Sequence, residues 1–281
     1  MDEPDLAANK ALVLDFYRQV FWERDMTAVR EFTAADVRVH APGVGEGLAA
    51  MEQSVRETFA PSSRLPSGSG PAPEPAIAVA DGDIVVLCFY MPQPEPAHPD
   101  VTFDFFSFDA YRVRGGKLTE RWPSINRAAP TQLSWAAPKD GAPRPRPSAR
   151  GPHPDLAKHL AVEFYRQVFD GHDAEAAKRF VTPDYQQHCR HYPHGRAGLE
   201  DLLRRLFPAG PRPVPETMTL PHVLIAAEDD IVVTAGLMPQ PVPGEPDRRY
   251  PYYAFTAYAI RDGMLAEHWS GVNKAAPPRH D

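Results

Sequence analysis

The chain of 281 residues contains the same stretch of sequence twice, and this constrains its fold more than any other property. Phe16-Tyr17-Arg18-Gln19-Val20-Phe21 returns 148 positions later as Phe164-Tyr165-Arg166-Gln167-Val168-Phe169. With a shift of 147, Asp83-Ile84-Val85-Val86 matches Asp230-Ile231-Val232-Val233, and Met91-Pro92-Gln93-Pro94 matches Met238-Pro239-Gln240-Pro241. The ends agree as well: Leu118, Glu120 and Trp122 recur as Leu265, Glu267 and Trp269. A unit of this length is too long for a solenoid repeat of about 20–50 residues, so each copy is expected to be a domain with its own core. The boundaries read as 1–130 for copy one, 131–153 for a linker and 154–281 for copy two.

Proline supports this division. The chain holds 33 prolines and 18 glycines, below the Pro+Gly share of about 25–30% at which low-complexity disorder becomes the default. The run Ala142-Pro143-Arg144-Pro145-Arg146-Pro147 suits an extended spacer, with Trp135 expected to dock on a domain surface. The net charge of −7, without a long single-sign run, argues against a nucleic-acid surface. No apolar stretch approaches the ~18 residues of a membrane span, and the acidic start Met1-Asp2-Glu3-Pro4-Asp5 does not read as a signal peptide. Cys88 and Cys189 read as thiols, and a cytoplasmic location is the expectation.

Within one copy, Leu6, Val13, Phe16, Tyr17 and Val20 fall at helical spacing over residues 6–22. Short helices are expected over 27–33 and 175–181, and third helices over 48–59 and 199–207. Asp36 to His40 alternates as a short strand. Residues 76–80 and 83–91 form a hairpin about Asp81-Gly82, and 101–114 with 117–126 form another about Gly115-Gly116. Three helices, one short strand and four antiparallel strands give an α+β fold in which a sheet curls around an apolar pocket.

The Phe-Tyr-x-x-Val-Phe start, the Tyr185-Gln186-Gln187-His188 run with His191 and Gly195, the Asp-Gly hairpin and the closing Leu265-x-Glu267-His268-Trp269 resemble the SnoaL-like polyketide cyclase group of the nuclear transport factor 2-like superfamily. The resemblance covers both copies. It implies two tandem cone-shaped domains, each a curved antiparallel sheet with three helices closing a pocket, joined as an intramolecular pseudo-dimer. It also implies chemistry without metal or organic cofactor, in which a carboxylate or histidine removes a proton beside a carbonyl and nearby donors stabilise the enolate.

On that basis His40, Asp109, His188, His191 and His268 are the catalytic candidates. Asp109 matches a strand aspartate of the family motif, with His40 as its expected partner, whereas copy two has Thr256 there. The residue after the last Trp, often Asp in the family, is Ser270 in copy two and Pro123 in copy one. Strand parity puts Glu267 and Trp269 on one face and His268 and Ser270 on the other. Tyr17 and Tyr165 are core residues or pocket donors, Trp122 and Trp269 packing anchors or ligand stackers, and Tyr253 belongs to an aromatic strand with one face on the pocket. His188, His191 and His194 are loop histidines, pocket ligands or, least favoured, a metal site. The leading expectation is an acid/base enzyme acting on a hydrophobic carbonyl compound by cyclisation, isomerisation or dehydration. A non-catalytic binder or scaffold is the alternative, and epoxide opening by an acidic pair such as Asp36 with Glu46 is a third.

Overall fold

A computed structural model describes residues 5–41, 43–58, 72–95, 98–124, 153–189, 192–242 and 244–271. Trp135, His191 and all of the linker before His153 lie outside them. The described residues within 1–144, with 238–253 and Gly271, form one compact unit; those within 145–237 and 254–270 form a second.

In copy one, Asp5 caps helix α1 (Leu6–Phe16) by accepting the Ala8 N–H at 2.9 Å. The expected long helix does not stay α-helical: Tyr17–Trp22 is a π-helical turn that closes with Glu23 N–H on Arg18 O at 2.9 Å. The wider turn puts Tyr17, Val20 and Phe21 into the core together. Then follow α2 (Ala28–Phe32), β1 (Thr33–Val39), α3 (Leu48–Thr58), β2 (Ile77–Asp81), β3 (Ile84–Tyr90), β4 (Gln93–Glu95), β5 (His98–Phe103), β6 (Phe106–Arg114) and β7 (Lys117–Pro123). The strand expected over 101–114 is thus two, and the proline-rich rim is a small β4–β5 hairpin. The main sheet runs β1-β7-β6-β3-β2. It is mixed rather than wholly antiparallel, because β1 joins β7 in parallel.

Copy two repeats this order with α4 (Pro154–Phe164), a π-helical turn at Tyr165–Asp170, α5 (Ala177–Phe180), β8 (Val181–Gln187), α6 (Gly195–Leu206), β9 (His222–Glu228), β10 (Ile231–Leu237), β11 (Gln240–Val242), β12 (Glu245–Tyr250), β13 (Tyr253–Arg261) and β14 (Met264–Ser270). Its sheet order is β8-β14-β13-β10-β9. Helix α6 starts at Gly195 rather than near Gly198; Gly195 and its counterpart Gly47 have φ of 77° and 85°, values that favour a residue without Cβ.

Each sheet presents one face to its own helices. In copy one Phe16, Val20, Met51, Val85 and Tyr111 share a core, and in copy two Phe164, Val168, Leu203, Val232 and Tyr258 do. Cys88 and Cys189 are buried and not joined in a disulfide. No described helix is long and apolar enough to cross a membrane.

Candidate functional site

Strand alternation decides which polar side chains enter each helix-covered interior. On β6 Asp109 and Tyr111 point inward, and Arg121 of β7 lies opposite Tyr111. Arg121 holds Asp109 through Nε, 3.1 Å from both carboxylate oxygens, and through a terminal nitrogen 2.7 Å from Oδ2. Tyr111 donates to the same Oδ2 at 2.6 Å, and Arg121 also donates to Ser54 Oγ of α3 at 3.0 Å. Burial disfavours the guanidinium charge, but Asp109 outweighs it and raises the Arg121 pKa. Aromatic rings fill the rest: Tyr17 stacks on Phe89 at 4.1 Å and on Phe21 at 4.7 Å, and Arg121 lies 5.1 Å above Phe21. Burial pushes the Asp109 pKa up against the pull of Arg121 and Tyr111; with both oxygens held by Arg121, the carboxyl is a structural partner rather than a free base.

The second interior is built differently at the same places. His268 stands where the first copy has Arg121, Thr256 where it has Asp109, and Gln187 where it has Val39. Gly236 replaces Phe89, and Leu220 packs against it so closely that a Cβ would lie 2.6 Å from Leu220 Cγ. The buried His268 ring stacks on Tyr258 at 5.2 Å and meets Tyr192 edge-on at 5.3 Å, with Tyr185 at 6.4 Å. Its Nδ1 is 2.5 Å from Gln187 Oε1. A carbonyl oxygen only accepts, so Nδ1 carries the proton and Nε2 the lone pair. Burial, aided by electrostatic repulsion from His188, pulls the His268 pKa down to about 3, so the ring is neutral. Further along, Tyr165 meets His222 edge-on at 5.5 Å. His222 Nδ1 is buried without a partner among the described residues, and burial lowers its pKa. Asp170, also buried, accepts the Thr219 N–H at 3.2 Å.

The opposite face of each sheet carries a histidine–glutamate pair. His40 Nε2 lies 2.8 Å from Glu120 Oε2 and His188 Nε2 lies 2.7 Å from Glu267 Oε2. Each imidazole stacks on the tryptophan two residues beyond its glutamate, Trp122 or Trp269, at 4.5 Å. In copy one Arg112 extends the cluster by donating to Glu120 at 2.8 Å and Asp83 at 2.7 Å. Burial works against the Glu120 carboxylate, but His40 and Arg112 outweigh it and lower its pKa.

The SnoaL-like domain profile matches residues 13–121 and again 161–268. The chain belongs to the SnoaL-like domain family. Similar solved structures include a candidate polyketide cyclase from Acidithiobacillus ferrooxidans, with 19% identity over 41% of this chain and 86% of that one at a TM-score of 0.30. TsrD from Streptomyces laurentii shows 21% identity over 41% and 87% at 0.29. An M. tuberculosis LEH-like epoxide hydrolase shows 14% over 42% and 84% at 0.31. No curated protein matches the chain.

The SnoaL-like interiors bring together only some of the residues singled out from sequence. The expected His40–Asp109 pair does not form, because the two lie on opposite faces of the sheet: His40 meets Glu120, and Asp109 meets Arg121. His188 likewise stands with Glu267 and Trp269, apart from the interior. His194 is engaged separately, accepting the Gln187 N–H at 3.3 Å. Asp104, in the break between β5 and β6, is bound by the Tyr90 hydroxyl at 2.6 Å. Of the acidic pair considered for epoxide opening, Asp36 is exposed and Glu46 is paired with Arg38 at 3.1 Å. Tyr17 and Tyr253 are buried. Sequence reasoning passed over Arg121, Asp170, Tyr192 and Tyr258. The first and last carry a readable signal, since the Arg121/His268 exchange sits beside the retained Tyr111/Tyr258 in the repeat.

Proposed function

We propose that the second SnoaL-like domain is the ligand-bearing one, a cofactor-independent acid/base site for a hydrophobic carbonyl compound, with His268 as proton acceptor. The observation that carries this reading is the buried neutral imidazole, fixed through Nδ1 by Gln187 and ringed by tyrosines, with Nε2 left as the basic atom. Burial raises the pKa values of Tyr165 and Tyr192 to about 12, so both hydroxyls stay protonated and suit donation to a developing enolate oxygen. His268 Nε2 would take a proton from the carbon beside the carbonyl. The resulting imidazolium would be stabilised by the enolate, an ion pair worth most where water is excluded. Such a step serves cyclisation, isomerisation or dehydration alike. The first domain, whose interior is filled by rings and the Arg121–Asp109 pair, is read as the structural copy.

Binding without turnover is the second reading. Two features favour it: the carboxylate next to His268 in sequence, Glu267, faces the other side of the sheet, and an imidazole of such low pKa is a weak base. Exchange of the α-protons of 2-tetralone in D2O, followed by NMR, separates the two. The full chain is expected to accelerate exchange, and His268→Gln to lower that acceleration by about 100-fold or more. Equal acceleration by His268→Gln sinks the assignment. Loss in a His40→Ala/Asp109→Asn double variant that thermal unfolding shows to be folded, with full acceleration in His268→Gln, would move the site to the first copy. Binding of the ketone without exchange would leave the binder reading.

A further inference from the structure

Outside the sheet-lined interiors, two neighbouring clefts open on the helical side of the second unit. One, of about 430 Å³, is lined by Leu156, His159, Leu160, Phe180, Ile260 and Gly263. The other, of about 280 Å³, is lined by Arg166, Gly171, Asp173, Arg179, Arg212 and Val214. Glu163 and Gln167 line both and form the saddle between them. One end is apolar, with Leu156 64% exposed; the other is basic. We propose that this groove binds an amphiphilic carboxylate, its chain in the apolar cleft and its head group on Arg179 and Arg212.

The charge argument rests on what the three arginines do. Arg166 is partly committed, 3.4 Å from Glu163 and 3.5 Å from the Pro215 carbonyl. Arg179 donates to the neutral Gln167 side chain, and Arg212 Nε donates to the Asp170 carbonyl at 2.8 Å. Neither Arg179 nor Arg212 has a carboxylate partner among the described residues, so each keeps donors for an anion. The carboxylates of the cleft are engaged: Glu163 accepts from Gln167 at 2.8 Å, and Asp173 accepts the Ala176 N–H at 3.1 Å. Their presence favours a single negative charge over a phosphate dianion.

The duplication supplies an internal contrast. In copy one the counterpart of Arg166, Arg18, is held by Glu23 at 2.6 Å and Asp15 at 3.5 Å. Copy two has Gly171 in place of Glu23, Arg179 in place of Glu31 and Leu156 in place of Ala8. Gly171 also builds the groove. A Cβ there would lie 2.4 Å from Gln167 O and 3.2 Å from Val214, and its carbonyl accepts the Arg212 N–H at 2.8 Å. The absent side chain thus lets the Pro211–Pro215 segment press on the π-helical turn and bring Arg212 to the cleft. The two volumes fall near and within the range of about 300–1,000 Å³ usual for small-ligand sites.

Calorimetry on the full chain with dodecanoate below its micelle concentration tests the proposal. Dodecanoate is expected to bind at least tenfold tighter than either dodecanol, which lacks the charge, or propanoate, which lacks the chain. Arg179→Glu/Arg212→Glu should weaken dodecanoate at least tenfold while Arg179→Lys/Arg212→Lys weakens it less, and Leu156→Ser should weaken it as well. Thermal unfolding would establish that these surface variants are folded. Equal affinity for dodecanol, or unchanged affinity in the charge-reversed variant, overturns it. So does binding lost in His268→Gln but kept in the arginine variants, which would place the fatty acid in the interior. Self-association of the free chain that Leu156→Asp abolishes, without dodecanoate binding, would give the groove to a second copy and overturn it too.

Discussion

Asp109→Ala is expected to destabilise the first unit by about 3–5 kcal/mol, the range for removing one partner of a buried ion pair. Arg121 is 2% exposed, so its charge would lose its counter-ion where water cannot replace it. The Tyr111 hydroxyl, which donates to Asp109 at 2.6 Å, would lose its acceptor as well, and an unmet buried donor adds to the cost. Filling the same space with apolar atoms, as in Asp109→Leu/Arg121→Met, is expected to restore most of the stability, because the desolvation cost of both charges then disappears. Hydrogen exchange read on β6 and β7 isolates the first unit, which matters in a chain whose two units need not unfold together. Unchanged protection in Asp109→Ala would refute the structural role of the pair and return Asp109 to the catalytic candidates.

The second large effect is on pH. His268 has a pKa of about 3 in the fold against 6.5 for an ordinary histidine. Between those values the unfolded chain binds a proton that the folded one does not, so the unfolding free energy rises with pH across pH 3–6.5 and is flat above it. The slope from this one residue approaches about 1.4 kcal/mol per pH unit, and about 3 kcal/mol would be lost between pH 6.5 and 4. Carboxylates titrate in the lower part of the same window, so the informative quantity is the difference between the parent chain and His268→Gln. That difference should narrow as pH falls toward 4 if glutamine fills the site at neutral pH. Parallel stability curves for the two proteins from pH 6.5 to 4.5 would show that His268 is not held neutral by burial.

Most of the secondary structure was legible because its signals are local. The Gly115-Gly116 turn lies where its hairpin forms and the first hairpin turns one residue later than read, at Gly82-Asp83, while the apolar spacing of Val13, Phe16 and Val20 marks the buried side of the first helix. Strand parity also separated His268 from Glu267 and Trp269, since alternation is a property of any extended chain. The π-helical turns, the parallel addition of β1 to β7 and the splitting of 101–114 into β5 and β6 have no such signature. They follow from how the helix packs on the sheet and how the rim folds back on itself.

By itself the sequence determined that the chain is a duplicated α+β domain, where its hairpins turn and which residues share a strand face. A repeat and an alternation survive without reference to any neighbour. Only the tertiary structure decided which face became the interior, and with it which partner each titratable group received. His40 and Asp109 look like an acid/base pair when read along the chain, but the sheet lies between them. The helices cover one side alone, so Asp109 is enclosed with Arg121, His268 with Gln187 and three tyrosines nearby, and His40 and His188 are left to Glu120 and Glu267 on the other side.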